Sequence, residues 1–177
     1  GSYIGLAHKL ASEGKVYVEN DIDISNPTEY LSIASMKALE ALEKNSRNGF
    51  FLMIESAIID GYGHNNDSDG MITEMYEFNN TLMLLVDYVN HHPNTLLVVT
   101  ADHETGGTGV AYNEHEVGAV DTVKLGFSTK GHTGTVVPVF AYGVGAECFG
   151  GFMKNTDIPK KIESLMKNDF KTRMSKL

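Results

Sequence analysis

The sequence predicts an α/β fold, a mostly parallel sheet flanked by helices, on three observations. Short apolar runs at Phe50-Phe51-Leu52-Met53-Ile54, Leu96-Leu97-Val98-Val99-Thr100 and Val136-Val137-Pro138-Val139-Phe140-Ala141-Tyr142 have the length and continuous hydrophobicity of strands buried on both faces. Segments with helical periodicity precede, separate and follow them, the alternation expected of α/β architecture. The first two runs each give way to a polar, Gly-containing segment, at the sheet edge where such folds gather ligands. Residues 1–177 read as one domain.

Taken in order, residues 1–25 carry only a weak pattern and predict no firm element. Asn26-Pro27-Thr28-Glu29 has the features of a helix start: an N-cap, Pro at the first helical position and Glu two residues on. Leu31, Ala34, Ala38, Leu39 and Leu42 continue it at helical spacing until Asn45–Asn48. After the first apolar run, Glu55 to Gly70 reads as a polar loop. Met71, Met75, Phe78, Leu82, Leu85, Val86 and Val89 then recur at three and four residues, predicting a long helix closed by Pro93. The second run ends in the loop Ala101-Asp102-His103-Glu104-Thr105-Gly106-Gly107. Residues 108–131 read as irregular with a short strand near Val123–Phe127, and Thr156–Met166 as a last helix.

Composition narrows the function. With 23 acidic against 14 basic residues the chain carries a formal charge of -9, and no basic stripe is present to neutralise a nucleic-acid backbone. A small phosphorylated substrate remains compatible if metal ions supply the positive charge locally. The single cysteine, Cys148, rules out an intrachain disulfide and a thiolate zinc cluster. Any metal must therefore be held by His and carboxylates.

Those residue types recur at the expected strand edges. Asp60 and His64 stand four apart in Ile58-Ile59-Asp60-Gly61-Tyr62-Gly63-His64. Asp102 and His103 are adjacent after the second run, and His132 lies in Gly131-His132-Thr133-Gly134 just before the third. Carboxylate and imidazole suit Zn²⁺ where thiolates are missing, and a catalytic zinc keeps a position open. An isolated Asp-His dipeptide or Asp-x-x-x-His pair is ordinary loop chemistry; five such ligands on three segments suggest more than one ion.

At this point the sequence resembles the alkaline phosphatase family. Glu55-Ser56-Ala57-Ile58-Ile59-Asp60-Gly61-Tyr62-Gly63-His64 is similar to its Glu-x4-Asp-x3-His element. Thr100-Ala101-Asp102-His103-Glu104-Thr105-Gly106-Gly107 and Gly131-His132-Thr133-Gly134 resemble its later ligand segments, and the likeness runs over roughly residues 26–167. The resemblance implies an alkaline-phosphatase-like three-layer α/β/α sandwich, of which this chain is the carboxy-terminal portion. It implies Asp60, His64 and His132 as ligands of a first zinc, Asp102 and His103 of a second, and Glu55 at a magnesium site. It implies hydrolysis of phosphate monoesters through a phosphoserine intermediate, a homodimeric full-length enzyme, and a periplasmic or extracellular location. Phosphodiesterases and phosphomutases of the same superfamily share part of the pattern, but not usually the Glu55 position or the Glu-Thr-Gly-Gly tail.

The family's serine nucleophile has no counterpart. Asp67-Ser68 falls after His64, out of order, and no upstream Arg stands ready for phosphate. The expectation is a chain that holds most metal ligands, lacks the nucleophile, and is inactive or nearly so alone; a non-catalytic zinc-binding module is the rival from another class. Asn65, Asp67, Asp69 and Gly70 imitate the start of a calcium loop, but Tyr76 takes the place of its closing Glu, so a helix cap is expected there. His91 and His92 are expected to end a helix, and His115 to be exposed.

Overall fold

The computed structural model describes residues 30–111 and 124–174. Helices α1 (Tyr30–Asn45), α2 (Ile58–Asn65) and α3 (Ser68–His91) come first, and α4 (Asp157–Met174) comes last. Between α3 and α4 lie β1 (Leu96–Thr100), β2 (Glu104–Thr105), β3 (Gly109–Ala111), β4 (Lys124–Gly126), β5 (His132–Thr133), β6 (Val139–Gly143) and a 3-10 turn at Ala146–Phe149.

The apolar stripes predicted for the first two helices pack α1 against α3. Leu31, Leu39, Met71, Leu85 and Val89 are buried, each Leu contributing about 1.5–3 kcal/mol relative to exposure. The same seam carries polar contacts. Glu77 is 6% exposed and its carboxylate accepts the Leu31 backbone N–H at 2.8 Å, serving an amide in the first turn of α1 that has no partner within the helix. Ser32 and Thr81 hydroxyls share a 2.9 Å hydrogen bond beside it. Asp67 caps α3 by accepting the Gly70 N–H at 3.0 Å, the cap expected in place of a calcium loop. At the other end His91 bonds the Asp87 carbonyl, and His92 stacks on Tyr88 and pairs with Glu43. The capping signature at Asn26–Glu29 and His115 lie outside the described residues.

The α/β class holds, while several local expectations change. β1 forms where expected, but it pairs with β6 in antiparallel register, Leu97 opposite Tyr142 and Val99 opposite Phe140. The other described pairs, β2 with β5 and β3 with β4, are antiparallel too, so the expected mostly parallel pairing is not what these strands form with one another. Continuous hydrophobicity suggested strands covered on both faces; here Phe140 and Tyr142 are 64% and 46% exposed. β6 begins at Val139 rather than Val136, because Pro138 has no N–H for a ladder. The Phe50–Ile54 run forms no strand. It lacks a ladder partner among the described residues, although the two-residue alternation survives, with Phe51 and Met53 turned outward. The short strand near Val123–Phe127 is β4, and the last helix extends past Met166.

The segment from Glu55 to Gly70, read as a loop, is mostly helix. Two glycines in eight residues make α2 a poor helix by propensity, yet Gly63 permits its packing. A Cβ there would lie 3.0 Å from Thr105 Cγ2 and 3.1 Å from Met71 Cε, so a larger residue would force α2 away from β2 and α3. The helix stops at Asn66, which takes a left-handed conformation (φ 57°) with its N–H on the Gly63 carbonyl.

Candidate metal centre

Because α2 is a helix, Asp60 and His64 stand one turn apart on a single face. β5 brings His132 to the same place, directly opposite Thr105 of β2. His64 Nε2 is 3.1 Å from His132 Nε2 and 3.3 Å from Asp60 Oδ2, and His132 Nε2 is 3.5 Å from Asp60 Oδ1. One ligand atom from each of the three residues lies within 4.8 Å of the others.

Hydrogen bonding around the cluster decides which atoms have lone pairs to offer. His64 Nδ1 lies 2.6 Å from the Lys130 carbonyl oxygen, which can only accept, so Nδ1 carries the proton. In the neutral ring, Nε2 therefore faces Asp60 and His132 with a lone pair. Thr105 Oγ1 donates to Asp60 Oδ1 at 2.5 Å, and its lone pair can take the Nδ1–H of His103 at 3.2 Å. That leaves His103 Nε2 as a lone pair 3.3 Å from Asp102 Oδ2. Lone pairs turned toward one another at these distances repel unless a cation, a proton or a metal, sits among them.

The donor set fits a metal. Zn²⁺ with bonds of about 2.0 Å places neighbouring tetrahedral ligands about 3.3 Å apart; His64 and His132 each lie near that distance from one another and from one Asp60 oxygen, though from different oxygens. A backbone carbonyl on the far nitrogen of His64 is the usual support for a ligating imidazole. Three ligands leave a fourth position for water or substrate.

The remaining predicted ligands are less tightly gathered. His103 stacks on the His132 ring with centroids 3.5 Å apart, which ties the second pair to the first cluster. Asp102 has a side chain 85% exposed, and its Oδ1 accepts the His103 backbone N–H at 3.1 Å. Glu55 is exposed on the stretch before α2 and has no hydrogen-bond or ion-pair partner among the described residues.

Supporting residues were not singled out from sequence. Beyond Thr105, Glu104 accepts the Thr108 N–H at 2.7 Å, the Gly107 N–H at 3.2 Å and the Thr133 hydroxyl. These bonds, the Thr108 amide first and the Thr133 hydroxyl next, hold its carboxyl below the usual glutamate range against the opposing effect of burial. Gly106 and Gly107, at φ of 91° and 57°, turn the chain so that successive N–H groups reach back to that carboxylate. Ser68 uses its oxygen to accept the Leu125 N–H at 3.2 Å, in keeping with a structural place.

The family model for alkaline phosphatase matches residues 14–124. The chain belongs to the alkaline phosphatase family. Alkaline phosphatase 3 of Bacillus subtilis is 26% identical over 201 residues, covering 76% of this chain and 43% of the relative. The alkaline phosphatase of the Antarctic bacterium TAB5 is 37% identical with a TM-score of 0.70, covering 78% of this chain and 41% of that one. The cold-active enzyme of a psychrophilic Shewanella is 29% identical with a TM-score of 0.69, covering 86% and 54%. A variant of the TAB5 enzyme has been solved with Mg bound in its M3 site. This chain therefore spans about half or less of the length of these alkaline phosphatases.

Proposed function

We propose that this chain supplies most of the metal ligands of a phosphate monoester hydrolase of the alkaline phosphatase type, with the serine nucleophile lying outside residues 1–177. Asp60, His64 and His132 take a first zinc, Asp102 and His103 a second, and Glu55 a magnesium. The observation that carries this reading is the convergence of a carboxylate and two imidazoles from α2 and β5, one ligand atom of each within 4.8 Å of the others. Divalent cations bound there would stabilise charge on a phosphoryl oxygen and activate an oxygen nucleophile.

The chain's own residues perform the holding. The Lys130 carbonyl and the Thr105 hydroxyl orient His64 and Asp60 before any ion arrives. Family membership and the names of the relatives support phosphate monoesters as substrates. The homodimer and the periplasmic or extracellular location follow from the resemblance alone and belong to the longer protein.

The test is zinc analysis after dialysis, with Asp60→Ala and His64→Ala as controls, followed by turnover of a generic aryl phosphate by the zinc-replete chain. Wild type should retain zinc that both variants lose, and turnover should stay near background until the missing upstream portion is supplied. Robust turnover abolished by mutating Ser56 or Ser68 would place a nucleophile inside this chain and overturn that part of the reading. Equal zinc in wild type and variants would overturn the ligand assignment. Zinc retained without activity after the upstream portion is restored would favour a non-catalytic module.

A further inference from the structure

The geometry points to Glu104 as a positioning residue for His132, acting through the Thr133 hydroxyl; this rests on the metal-site reading above. β2 and β5 share a ladder of only two residue pairs, Glu104 with Thr133 and Thr105 with His132. So short a ladder has little stability of its own. Side chains alternate across it, so Thr105 and His132 serve the face toward Asp60, while Glu104 and Thr133 meet on the other.

On that second face one carboxylate gathers three donors. Oε1 takes the Thr108 N–H, and Oε2 takes both the Gly107 N–H and the Thr133 hydroxyl. The turn after β2 is thereby bound to the residue that follows His132. A carboxylate suits the task because charged acceptors make stronger hydrogen bonds, and because the two amide partners can only donate while the Thr133 hydroxyl donates here. Glutamine offers one accepting oxygen and an NH₂ group that would face an N–H. Without the bridge, β5 is free to drift from β2, and His132 with it from Asp60 and His64. The bridge touches no proposed ligand atom, so its contribution is alignment.

The experiment measures Zn²⁺ affinity of the full chain by competition with a chromophoric chelator, and the visible spectrum of the Co²⁺-loaded chain. The variants are Glu104→Gln, Thr133→Val, Thr133→Ser, the Gln/Val double variant, and His132→Ala. Losing a partner bonded directly to a ligand weakens metal binding by about 10–100-fold, and this bridge, one residue removed from His132, is expected at the lower end of that range. Thr133→Val, which keeps the side-chain shape and removes the hydroxyl, should fall in that range and change the Co²⁺ bands. Thr133→Ser, which keeps the hydroxyl, should bind as wild type does. Glu104→Gln should weaken binding similarly, and the double variant should be no worse than the weaker single, since both remove one bridge. Should Glu104→Gln fail to fold, the two Thr133 variants decide alone. Wild-type affinity and spectrum in Thr133→Val, with binding lost in His132→Ala, would overturn the bridge and leave the metal reading standing. A wild type that binds zinc no better than His132→Ala would overturn the metal reading, and the bridge as its support would fall with it.

Discussion

On one side of the candidate centre, Asp60 takes a hydrogen bond from Thr105, His64 gives one to Lys130, and His132 sits on a ladder with Thr105. On the other side, Asp102 meets only its neighbour His103, through that residue's amide and Nε2, and Glu55 has no polar partner, among the described residues. Exposure follows the division only for the carboxylate: the Asp60, His64 and His132 side chains are 44%, 40% and 47% exposed, against 85% for Asp102, while His103 is 29% exposed. His103 stands between, stacked on His132 yet paired with Asp102. The difference teaches that ligand residues and ligand geometry are separate achievements. Residues of the first corner are oriented by Thr105, Lys130 and the β2 ladder within this chain, whereas the second corner presents donors that still need neighbours.

The largest expected effect tests the first corner. His132→Ala should weaken zinc binding by more than the roughly 100-fold that removal of a mere supporting partner costs. Chelator competition checks it, and a loss under about ten-fold would mean that Asp60 and His64 hold the ion without β5. The comparison would then fail, since the first corner would be no more complete than the second.

The scaffold behind the first corner gives the next effect. Glu77→Ala leaves the buried Leu31 N–H without its acceptor, at a cost of about 1–3 kcal/mol in urea unfolding. Zinc affinity of the folded chain should be almost unchanged, because Glu77 serves the α1–α3 seam and not α2. A large loss of affinity with unchanged stability would show that the two are coupled in a way the contacts do not explain.

How much of this was legible in sequence depends on the residue. Each of the three clustered residues was singled out from type and spacing, because His and Asp beside apolar runs have few roles other than polar ones. That α2 is a helix was hidden by Gly61 and Gly63, whose low propensity is overridden by packing that needs the bare backbone at position 63. Pairing direction was hidden because β1 and β6 carry apolar residues on both faces, the signature usually left by parallel strands. Glu104 and Thr133 stood only as members of the family-like blocks, and their contact with each other left no signal, since a two-pair ladder is too short to show a period. The long helix α3 was clear because seven apolar positions repeat over its length.

A smaller effect separates the two glycines. Gly63→Ala should push on Thr105 and so on the Asp60 contact, costing about 1–3 kcal/mol in overpacking against at most about 1 kcal/mol gained in helix propensity. Gly61→Ala meets nothing within 4 Å and should stabilise by about 0.5–1 kcal/mol. Thermal unfolding of the pair checks the opposite signs, and zinc affinity should drop only for position 63. Equal behaviour of the two would remove Gly63 from the support of the first corner.

The smallest expected effect concerns the second corner. Glu55→Ala and Asp102→Ala should leave the zinc affinity of this chain within about two-fold of wild type, roughly 0.4 kcal/mol. Neither residue belongs to the converging group, and neither carboxylate contacts Asp60, His64 or His132 through a described hydrogen bond or ion pair. Asp102 has the stronger claim to an indirect effect, because it pairs with His103 and His103 stacks on His132. Stacking fixes the separation of the rings but leaves His132 Nε2 facing His64, so the lone pair offered to the ion should persist. Chelator competition at matched pH reads the difference directly. A ten-fold loss in Asp102→Ala would join the corners into one site sharing an ion. If the losses stay small here but grow once the upstream portion is supplied, the second corner is built from donors that both portions contribute.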